Sequence, residues 1–163
     1  MKKSFVILSA FSLTMAFLPS FAQAQYPYWR YDRLIESNAG HEASAPRIAV
    51  SGTNAVAVWC QEYEGTYRVY SNYSTNGGAT WHKAKLIEDN VGCVASGARV
   101  ALSGSKAVAV WTQTIGSYYQ VHANYSTDGG ATWHADRKID FPAGSQSAGI
   151  EVAVSGTRVA AVW

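Results

Sequence analysis

The sequence predicts an all-β protein built from a repeated unit, and three observations support this prediction. After its first 24 residues the chain is rich in Tyr, Trp, Val, Ala, Gly and Ser, which favour strands and turns. No stretch in that part keeps a 3.6-residue apolar period over three turns, as an amphipathic helix would. Two ten-residue stretches, "NYSTNGGATW" from Asn72 and "NYSTDGGATW" from Asn124, differ only at Asn76 and Asp128.

The repeat has a period of 52 residues. Three segments align without a gap: "PRIAVSGTNAVAVWCQ" from Pro46, "ARVALSGSKAVAVWTQ" from Ala98 and "IEVAVSGTRVAAVW" from Ile150. The tryptophans that mark the period are Trp59, Trp111 and Trp163. A fixed period of this size indicates one supersecondary unit, stacked repeatedly, that cannot bury its own faces alone.

Each unit is predicted to contain four strands. In the first unit they are Arg47 to Ser51, Ala55 to Trp59, Tyr67 to Ser74 and Trp81 to Ile87. The first two are apolar on both faces, which is typical of strands covered on both sides. The third strand alternates apolar with more polar residues, as expected for a strand nearer the outer edge of the blade. Four antiparallel strands per repeat predict the blade of a β-propeller.

The predicted organisation is an incomplete ring. A signal peptide (1–24) is followed by a lone outer strand and loop (25–46), two blades (47–98 and 99–150) and a truncated blade (151–163). A closed propeller typically needs about 4–8 blades. We therefore expect either a fragment of a longer propeller or self-association through unpaired blades, because unpaired edges and apolar faces favour association.

The segment from Ser126 to Trp133 matches the Asp-box, Ser-x-Asp-x-Gly-x-Thr-Trp, also called the bacterial neuraminidase repeat. The copy from Ser74 to Trp81 matches with Asn76 in place of the aspartate. The chain thus resembles Asp-box β-propellers of the kind found in sialidases and in several unrelated propellers. The resemblance implies the fold. Because families with different functions share the box, it leaves the activity open.

The Asp-box is predicted to be structural. Asn-Gly or Asp-Gly between two strands favours a tight turn. The side-chain oxygen of Asp128 or Asn76 can accept hydrogen bonds from the backbone amides of that turn. We expect the Asn76 turn to be weaker because it lacks the charge, and the two tryptophans to cover the outer edge of the blade. A catalytic aspartate would not recur in successive blades. The predicted structural positions are Ser74, Asn76, Gly78, Thr80, Trp81, Ser126, Asp128, Gly130, Thr132 and Trp133.

Function is expected in loops that break the repeat. These loops join the second and third strands (60–66 and 112–118) or successive blades (38–46, 90–98 and 142–150), and all should emerge on one face. Arg47 and Arg99 begin the innermost strands there. Their position resembles that of the arginines with which sialidases hold a substrate carboxylate. The alternative is a surface charge at a strand end, and the third copy has Glu151 instead.

Glu62 and Tyr63 are the other candidate ligand-binding residues. Tyr63 lies between Glu62 and Glu64 and resembles, weakly, the tyrosine nucleophile and glutamate partner of sialidases. The alternative is a solvated acidic loop, and no aspartate stands out as the acid. The sequence therefore favours a non-catalytic module that binds a glycan or protein. The alternatives are an exo-α-sialidase-type glycoside hydrolase and a structural remnant without a ligand.

Cys60 and Cys93 break the repeat, and a disulfide between them is predicted to join adjacent blades. His82 and His134 are copies of each other, and neither His41 nor His122 has the Cys/His spacing of a zinc site. We expect no metal and no cofactor.

The first residues predict export. Lys2 and Lys3 precede an apolar run from Phe5 to Leu18 and an Ala22-Gln23-Ala24 cleavage signal. The run is shorter than the ~20 residues of a membrane span, so no stable membrane insertion is expected after cleavage. Cleavage before Gln25 removes two of the 13 basic residues and leaves eleven against eleven acidic ones. A neutral chain without a basic stripe argues against nucleic acid as a partner.

Overall fold

The computed structural model describes residues 33–36, 40–89, 94–140 and 149–163, and this part of the chain is all-β without a helix. Two four-stranded antiparallel sheets, β1-β2-β3-β4 and β5-β6-β7-β8, are followed by a pair, β9-β10. The predicted fold of antiparallel four-stranded blades in an unclosed ring is confirmed. The predicted signal peptide and residues 25–32 and 37–39 of the predicted lone strand and loop lie outside the described residues. The strands are β1 Ala43–Ser51, β2 Asn54–Tyr63, β3 Thr66–Ser74, β4 Lys85–Leu86, β5 Val94–Ser103, β6 Lys106–Ile115, β7 Tyr118–Ser126, β8 Arg137–Lys138, β9 Glu151–Ser155 and β10 Arg158–Val162.

The second strand of each four-stranded sheet is buried on both faces, as predicted. Residues 55–61 of β2 and 107–112 of β6 are continuously buried, because each strand has a neighbour on either side and packing on both faces. The first strand differs. Ile48 and Val50 of β1 are 49% and 61% exposed. The prediction of two covered faces is wrong for β1, because the face that carries Ile48 and Val50 is largely uncovered in the described part of the chain.

The sheets pack face to face in chain order. The core between the first and second sheets joins Val58, Cys60 and Val69 to Ala109 and Trp111. A second core joins residues of β6 and β7 to β9 and β10. On the other face of the first sheet, Trp59 and Ala57 pack against Ile35, which belongs to the predicted lone strand. Trp59 and Trp111 thus each fill the junction with the preceding segment of chain.

The fourth strand is much shorter than predicted. The expected strand from Trp81 to Ile87 is regular only at Lys85–Leu86. Asn72 explains the difference, since its Nδ2 donates to the His82 carbonyl at 2.6 Å and to the Ile35 carbonyl at 2.7 Å. The side chain takes the place of a backbone donor at this point between the two strands. Asn124 repeats both contacts 52 residues later, with the carbonyls of Ile87 and His134.

A buried carboxylate links the first two blades. Glu88 follows β4 and contacts Arg68 Nε through Oε1, while Gln113 Nε2 of the next blade donates to its Oε2 at 3.1 Å. The equivalent carboxylate one repeat earlier is Glu36, which accepts Gln61 Nε2 at 3.1 Å. The equivalent one repeat later, Asp140, is fully buried. We name the Glu88, Arg68 and Gln113 contacts the junction bracket.

Candidate functional site

The strand registers place the Asp-box turns and the candidate loops at opposite ends of each blade. Ser74 pairs with Ala55 at one end, whereas Ala43 pairs with Gln61 at the other. The predicted loop from Cys60 to Thr66 is shorter in the structure, because β2 continues to Tyr63 and leaves a two-residue turn. We call this end, which carries residues 41–47 and 62–67, the loop face.

The Asp128 carboxylate is fully used inside its own turn. Its Oδ1 accepts the Thr132 amide at 2.8 Å and the Ser126 hydroxyl at 2.8 Å, and its Oδ2 accepts the Thr132 hydroxyl at 2.6 Å. A carboxylate held by three donors keeps its own turn in shape. It is not aimed at a cleft.

Asn76 makes the same set of contacts in the first box. Its Oδ1 accepts the Ser74 hydroxyl and the Thr80 amide, both at 2.9 Å, and its Nδ2 donates to the Thr80 hydroxyl at 2.8 Å. The number of hydrogen bonds is equal. The two boxes differ in charge. The Asp128 carboxylate accepts a hydrogen bond from the Thr132 hydroxyl, whereas the neutral Asn76 amide donates one to the Thr80 hydroxyl.

Each box is also tied to the strands around it. Gly77 N donates to the Thr53 carbonyl and Gly129 N to the Ser105 carbonyl, both at 2.7 Å, which joins each turn to the β1–β2 or β5–β6 corner. Trp81 and Trp133 do not only cover an outer edge. They pack against the cores that contain Trp59 and Trp111, at the junction with the preceding segment. These contacts support a structural role for the box.

The charge difference between the boxes predicts different acid sensitivity. Burial acts to raise the pKa of Asp128, but hydrogen bonds from Thr132 and Ser126 outweigh it and lower the pKa to about 2. A depressed carboxylate pKa stabilises the fold fully above the unfolded value of about 4, and this contribution is lost as the pH falls towards 2. Asp128→Asn should therefore flatten the pH dependence of the unfolding free energy between pH 5 and 2. The box is exposed, so we expect a change of about 1 kcal/mol or less.

Asn76→Asp is the matched control in the first blade. It should introduce the acid-dependent loss that Asp128→Asn removes, measured by urea denaturation at half-unit pH steps. If both substitutions left the pH profile unchanged, Ser126 and Thr132 would not be holding the Asp128 carboxylate by hydrogen bonds.

The loop face of the first blade gathers five polar and aromatic side chains, which we name the first-blade rim: His41, Glu42, Glu62, Tyr63 and Tyr67. His41 Nδ1 lies 2.8 Å from Glu62 Oε2, and the His41 and Tyr63 rings are 6.0 Å apart. The backbone amide of Glu62 donates to the Glu42 carbonyl at 2.8 Å. At four of the five equivalent positions the second repeat has Cys93, Val94, Thr114 and Ile115. The rim is therefore particular to the first blade.

Glu62 and Tyr63 do not form a pair. They are neighbours on β2, so their side chains leave the strand in opposite directions, and in the described part of the chain no hydrogen bond joins them. A tyrosine–glutamate pair does exist nearby, since Tyr67 Oη donates to Glu42 Oε2 at 2.9 Å. Sequence inspection missed it because the two residues are brought together only by the β1–β2–β3 register.

Contacts within the rim shift the pKa values of Glu62 and Tyr67 in opposite directions. The hydrogen bond from His41, and then that from the Gly65 amide at 2.6 Å, lower the pKa of Glu62. The hydrogen bond to Glu42 is the main cause that raises the pKa of Tyr67. At neutral pH Glu62 is therefore a carboxylate that accepts hydrogen bonds, and Tyr67 is a protonated phenol.

Arg47 and Arg99 each follow a β-bulge. The registers of β1 with β2 and of β5 with β6 shift just before them, and the bulges contain Ala45 and Gly97 at φ of 51° and 65°. Bulges of this kind redirect the side chains that follow them. The prediction that the two arginines begin their strands is wrong, because β1 starts at Ala43 and β5 at Val94, which places Arg47 and Arg99 in mid-strand.

The two arginines have different surroundings. Arg99 Nε donates to Glu151 Oε1 at 3.2 Å, and its Nη1 donates to the Gly97 and Ala98 carbonyls. Glu151 is the residue that replaces arginine in the third repeat. Arg47 is exposed, and its Nη1 donates to the Pro46 carbonyl at 2.9 Å. Of the two, Arg47 has the guanidinium that is not held by a carboxylate in the described part of the chain.

The remaining predicted positions do not form a site. Cys60 is buried and forms no disulfide within the described residues, and burial raises the pKa of its thiol. Cys93 lies outside the described residues, so the disulfide stays a prediction. His82 and His134 stack on Tyr73 and Tyr125 with ring centroids 4.0 and 4.1 Å apart.

One buried histidine, His122, lies on β7 beside the core between the first and second sheets. It stacks on Trp111, and its Nδ1 lies 3.6 Å from Asp136 Oδ2. Burial lowers the pKa of its imidazole. Across the described ranges, no three His, Cys, Asp or Glu side chains are arranged to hold a metal ion.

The stacked antiparallel sheets with Asp-box turns define an open array of propeller-type blades. Two segments, residues 73–83 and 125–135, match the family model described as BNR/Asp-box repeat. The chain therefore carries two BNR/Asp-box repeats in successive blades. No curated protein matches the chain.

Among solved structures, the chain is similar to the NanB sialidase from Streptococcus pneumoniae in complex with 2-[(3-chlorobenzyl)ammonio]ethanesulfonate. The TM-score is 0.43 with 18% sequence identity, and the match covers 60% of this chain and 14% of the sialidase chain. The matched region thus corresponds to a small part of that protein. In the part of our chain that the structure describes, no helix has the length and apolar character needed to cross a membrane.

Proposed function

We propose that this chain is an exported Asp-box module that binds a glycan, without catalysis, through the first-blade rim. The observation that carries the proposal is the rim itself. Five polar and aromatic side chains, four of which break the repeat, lie together on a scaffold that otherwise repeats closely. Side chains that depart from a repeat are not needed to build it, and rigid scaffolds present binding groups on such loops.

The chemistry of the rim favours sugar hydroxyls. Carboxylates of Glu42 and Glu62 accept hydrogen bonds, and the exposed ring of Tyr63 offers an apolar face for a sugar ring to pack on. Glu64, next in sequence, adds negative charge to the same turn. Three glutamates would repel a ligand carboxylate more than the single exposed guanidinium of Arg47 would attract it, and the Arg99 guanidinium is engaged by Glu151. We therefore propose a neutral glycan as the ligand.

Export rests on the N-terminal pattern, a charged start followed by a short apolar run and an Ala-x-Ala cleavage signal. We propose that the mature chain begins at Gln25. Protein recovered from the periplasm or medium of an expressing bacterium should have the intact mass of residues 25–163.

Binding is tested with this mature protein on a glycan array, followed by titration calorimetry with the best neutral glycan. Tyr63→Ala and Glu62→Gln should each weaken binding about tenfold or more, because each removes a contact at the centre of the rim. Thr114→Val, at the second-blade position equivalent to Glu62, is the matched control and should leave binding unchanged. Binding that none of the rim substitutions alters would place the ligand elsewhere.

A second candidate, a sialidase-type hydrolase, is favoured by the Tyr67–Glu42 hydrogen bond alone. Here the glutamate would take the phenolic proton as the tyrosine oxygen attacks the anomeric carbon, while the glycosidic bond breaks and the leaving alcohol takes a proton from water. The same protein sample is incubated with a fluorogenic sialoside. Turnover that is lost in Tyr67→Phe would establish the hydrolase and overturn the non-catalytic proposal.

A further inference from the structure

Asn76 is followed by glycine, and it is the one asparagine of the sequence for which this holds. Asparagine is thermolabile, because the next backbone nitrogen can attack the carbonyl carbon of its side chain. A following glycine favours this attack, since it has no Cβ to obstruct the approach. Asn76 and Thr80 are exposed at the turn of the first Asp-box, so water reaches the Asn-Gly pair. These features mark Asn76 as chemically reactive.

The folded box holds both groups that the reaction needs. Asn76 Oδ1 accepts the Ser74 hydroxyl and the Thr80 amide at 2.9 Å, and Nδ2 donates to the Thr80 hydroxyl at 2.8 Å. The attacking nitrogen, Gly77 N, donates to the Thr53 carbonyl at 2.7 Å. Ring closure needs the side chain to turn onto that nitrogen, and the contacts with Ser74 and Thr80 oppose this rotation. The reaction therefore requires the box to open.

We propose that Asn76 is a site of spontaneous deamidation and that opening of the first Asp-box sets its rate. In the open box a solvent base takes the Gly77 amide proton, and the nitrogen forms a bond with Asn76 Cγ. The bond from Cγ to Nδ2 breaks, and ammonia leaves after taking a proton from water. The remaining ring is a succinimide.

Water then opens the succinimide in one of two ways. It adds to one of the two carbonyl carbons of the ring, and that carbon loses its bond to the Gly77 nitrogen, which regains a proton. Cleavage at Cγ gives aspartate, whereas cleavage at the backbone carbonyl of Asn76 gives isoaspartate. The net change in both cases is hydrolysis of an amide to a carboxylate and ammonia.

The second blade shows that an aspartate fits this position. Asp128 lies 52 residues after Asn76 and accepts the Thr132 amide and the Ser126 hydroxyl at 2.8 Å, and the Thr132 hydroxyl at 2.6 Å. In the first box only the Thr80 hydroxyl would have to turn, so that it donates where it now accepts. The aspartyl product therefore re-forms the box.

The isoaspartyl product cannot re-form the box. Its main chain runs through the side-chain carbon and is one atom longer before Gly77. This displaces Gly77 N from the Thr53 carbonyl, and Gly78 N from the Ser74 hydroxyl oxygen that it now contacts at 2.9 Å. Only the aspartyl product thus keeps the turn joined to the corner between β1 and β2.

Peptide mass spectrometry of the purified protein measures the reaction, because exchanging an amide for a carboxyl group changes the mass of the peptide that contains position 76. In mildly alkaline buffer the folded protein should deamidate at least about tenfold more slowly than the same protein unfolded in urea. Thr80→Val should speed the reaction of the folded protein about threefold to tenfold, because one hydrogen bond to the side chain is lost. Thr132→Val, the same substitution in the second box, is the matched control and should leave the rate at Asn76 unchanged.

The two products are separated by chromatography and unfolded in urea. The aspartyl form should show the acid-dependent loss of stability expected for Asn76→Asp, and the isoaspartyl form should unfold at a lower urea concentration than the unreacted protein. Equal rates in the folded and unfolded protein would overturn control by the box. So would equal effects of Thr80→Val and Thr132→Val. An unfolded protein without any mass change at position 76 would overturn the site itself.

Discussion

Glu88→Ala is expected to lower the free energy of unfolding by about 3–5 kcal/mol, because removing one partner of a buried ion pair leaves the other charge uncompensated. Glu88 is buried between the first two sheets, where it holds Arg68 Nε and Gln113 Nε2. Without it, a largely buried guanidinium and a buried amide lose their acceptor. Equilibrium denaturation by urea at pH 7, followed by tryptophan fluorescence, measures the loss.

Glu36→Ala is the matched control, since Glu36 is the same position one repeat earlier. It accepts only the Gln61 amide among the contacts described and is partly exposed, so we expect a loss of about 1 kcal/mol. The double variant R68M/E88L should recover most of the stability lost in Glu88→Ala, because it removes both charges. Equal losses for Glu88→Ala and Glu36→Ala would contradict the role of the junction bracket.

The sequence predicted the architecture well because its signals are local and repeated. Alternation of Val and Ala before Trp59 and Trp111 predicts a strand covered on both faces, and Asp128-Gly129 predicts a turn. Both patterns depend on a few adjacent residues, whose geometry the backbone fixes. The shortening of the fourth strand could not be seen in this way, because it depends on where the Asn72 amide reaches in the folded sheet.

The site was harder to predict because its pairs are formed by register and stacking. Tyr67 and Glu42 meet across three strands, and Arg99 meets Glu151 across a blade junction. Sequence distance gives no indication of either contact. The junction bracket did leave a signal, since Glu36, Glu88 and Asp140 recur at the 52-residue period, each directly after an isoleucine. Acidic residues that recur at the same position of a repeat are therefore candidates for buried contacts between blades.

Gly130→Ala is the second substitution with a large expected effect, a loss of about 2–4 kcal/mol in the free energy of unfolding. Gly130 has a φ of 93°, which strains any residue with a Cβ. A Cβ at this position would lie 3.0 Å from Val56 Cγ2 and 3.2 Å from Tyr73 Cβ, both in the first blade. Crowding of a packed contact adds about 1–3 kcal/mol to the backbone strain.

Gly78→Ala separates the two causes, because Gly78 has nearly the same φ, 87°, but an added Cβ would meet nothing closer than the Trp81 ring at 3.8 Å. We expect it to lose only about 1–2 kcal/mol from backbone strain. Val56→Ala combined with Gly130→Ala should cost less than the sum of the two single losses, because the smaller side chain makes room for the new methyl group. Additive losses would mean that Gly130 is required for its backbone conformation alone. A favourable coupling would show that the second Asp-box turn also presses on the preceding blade, and so takes part in stacking the blades.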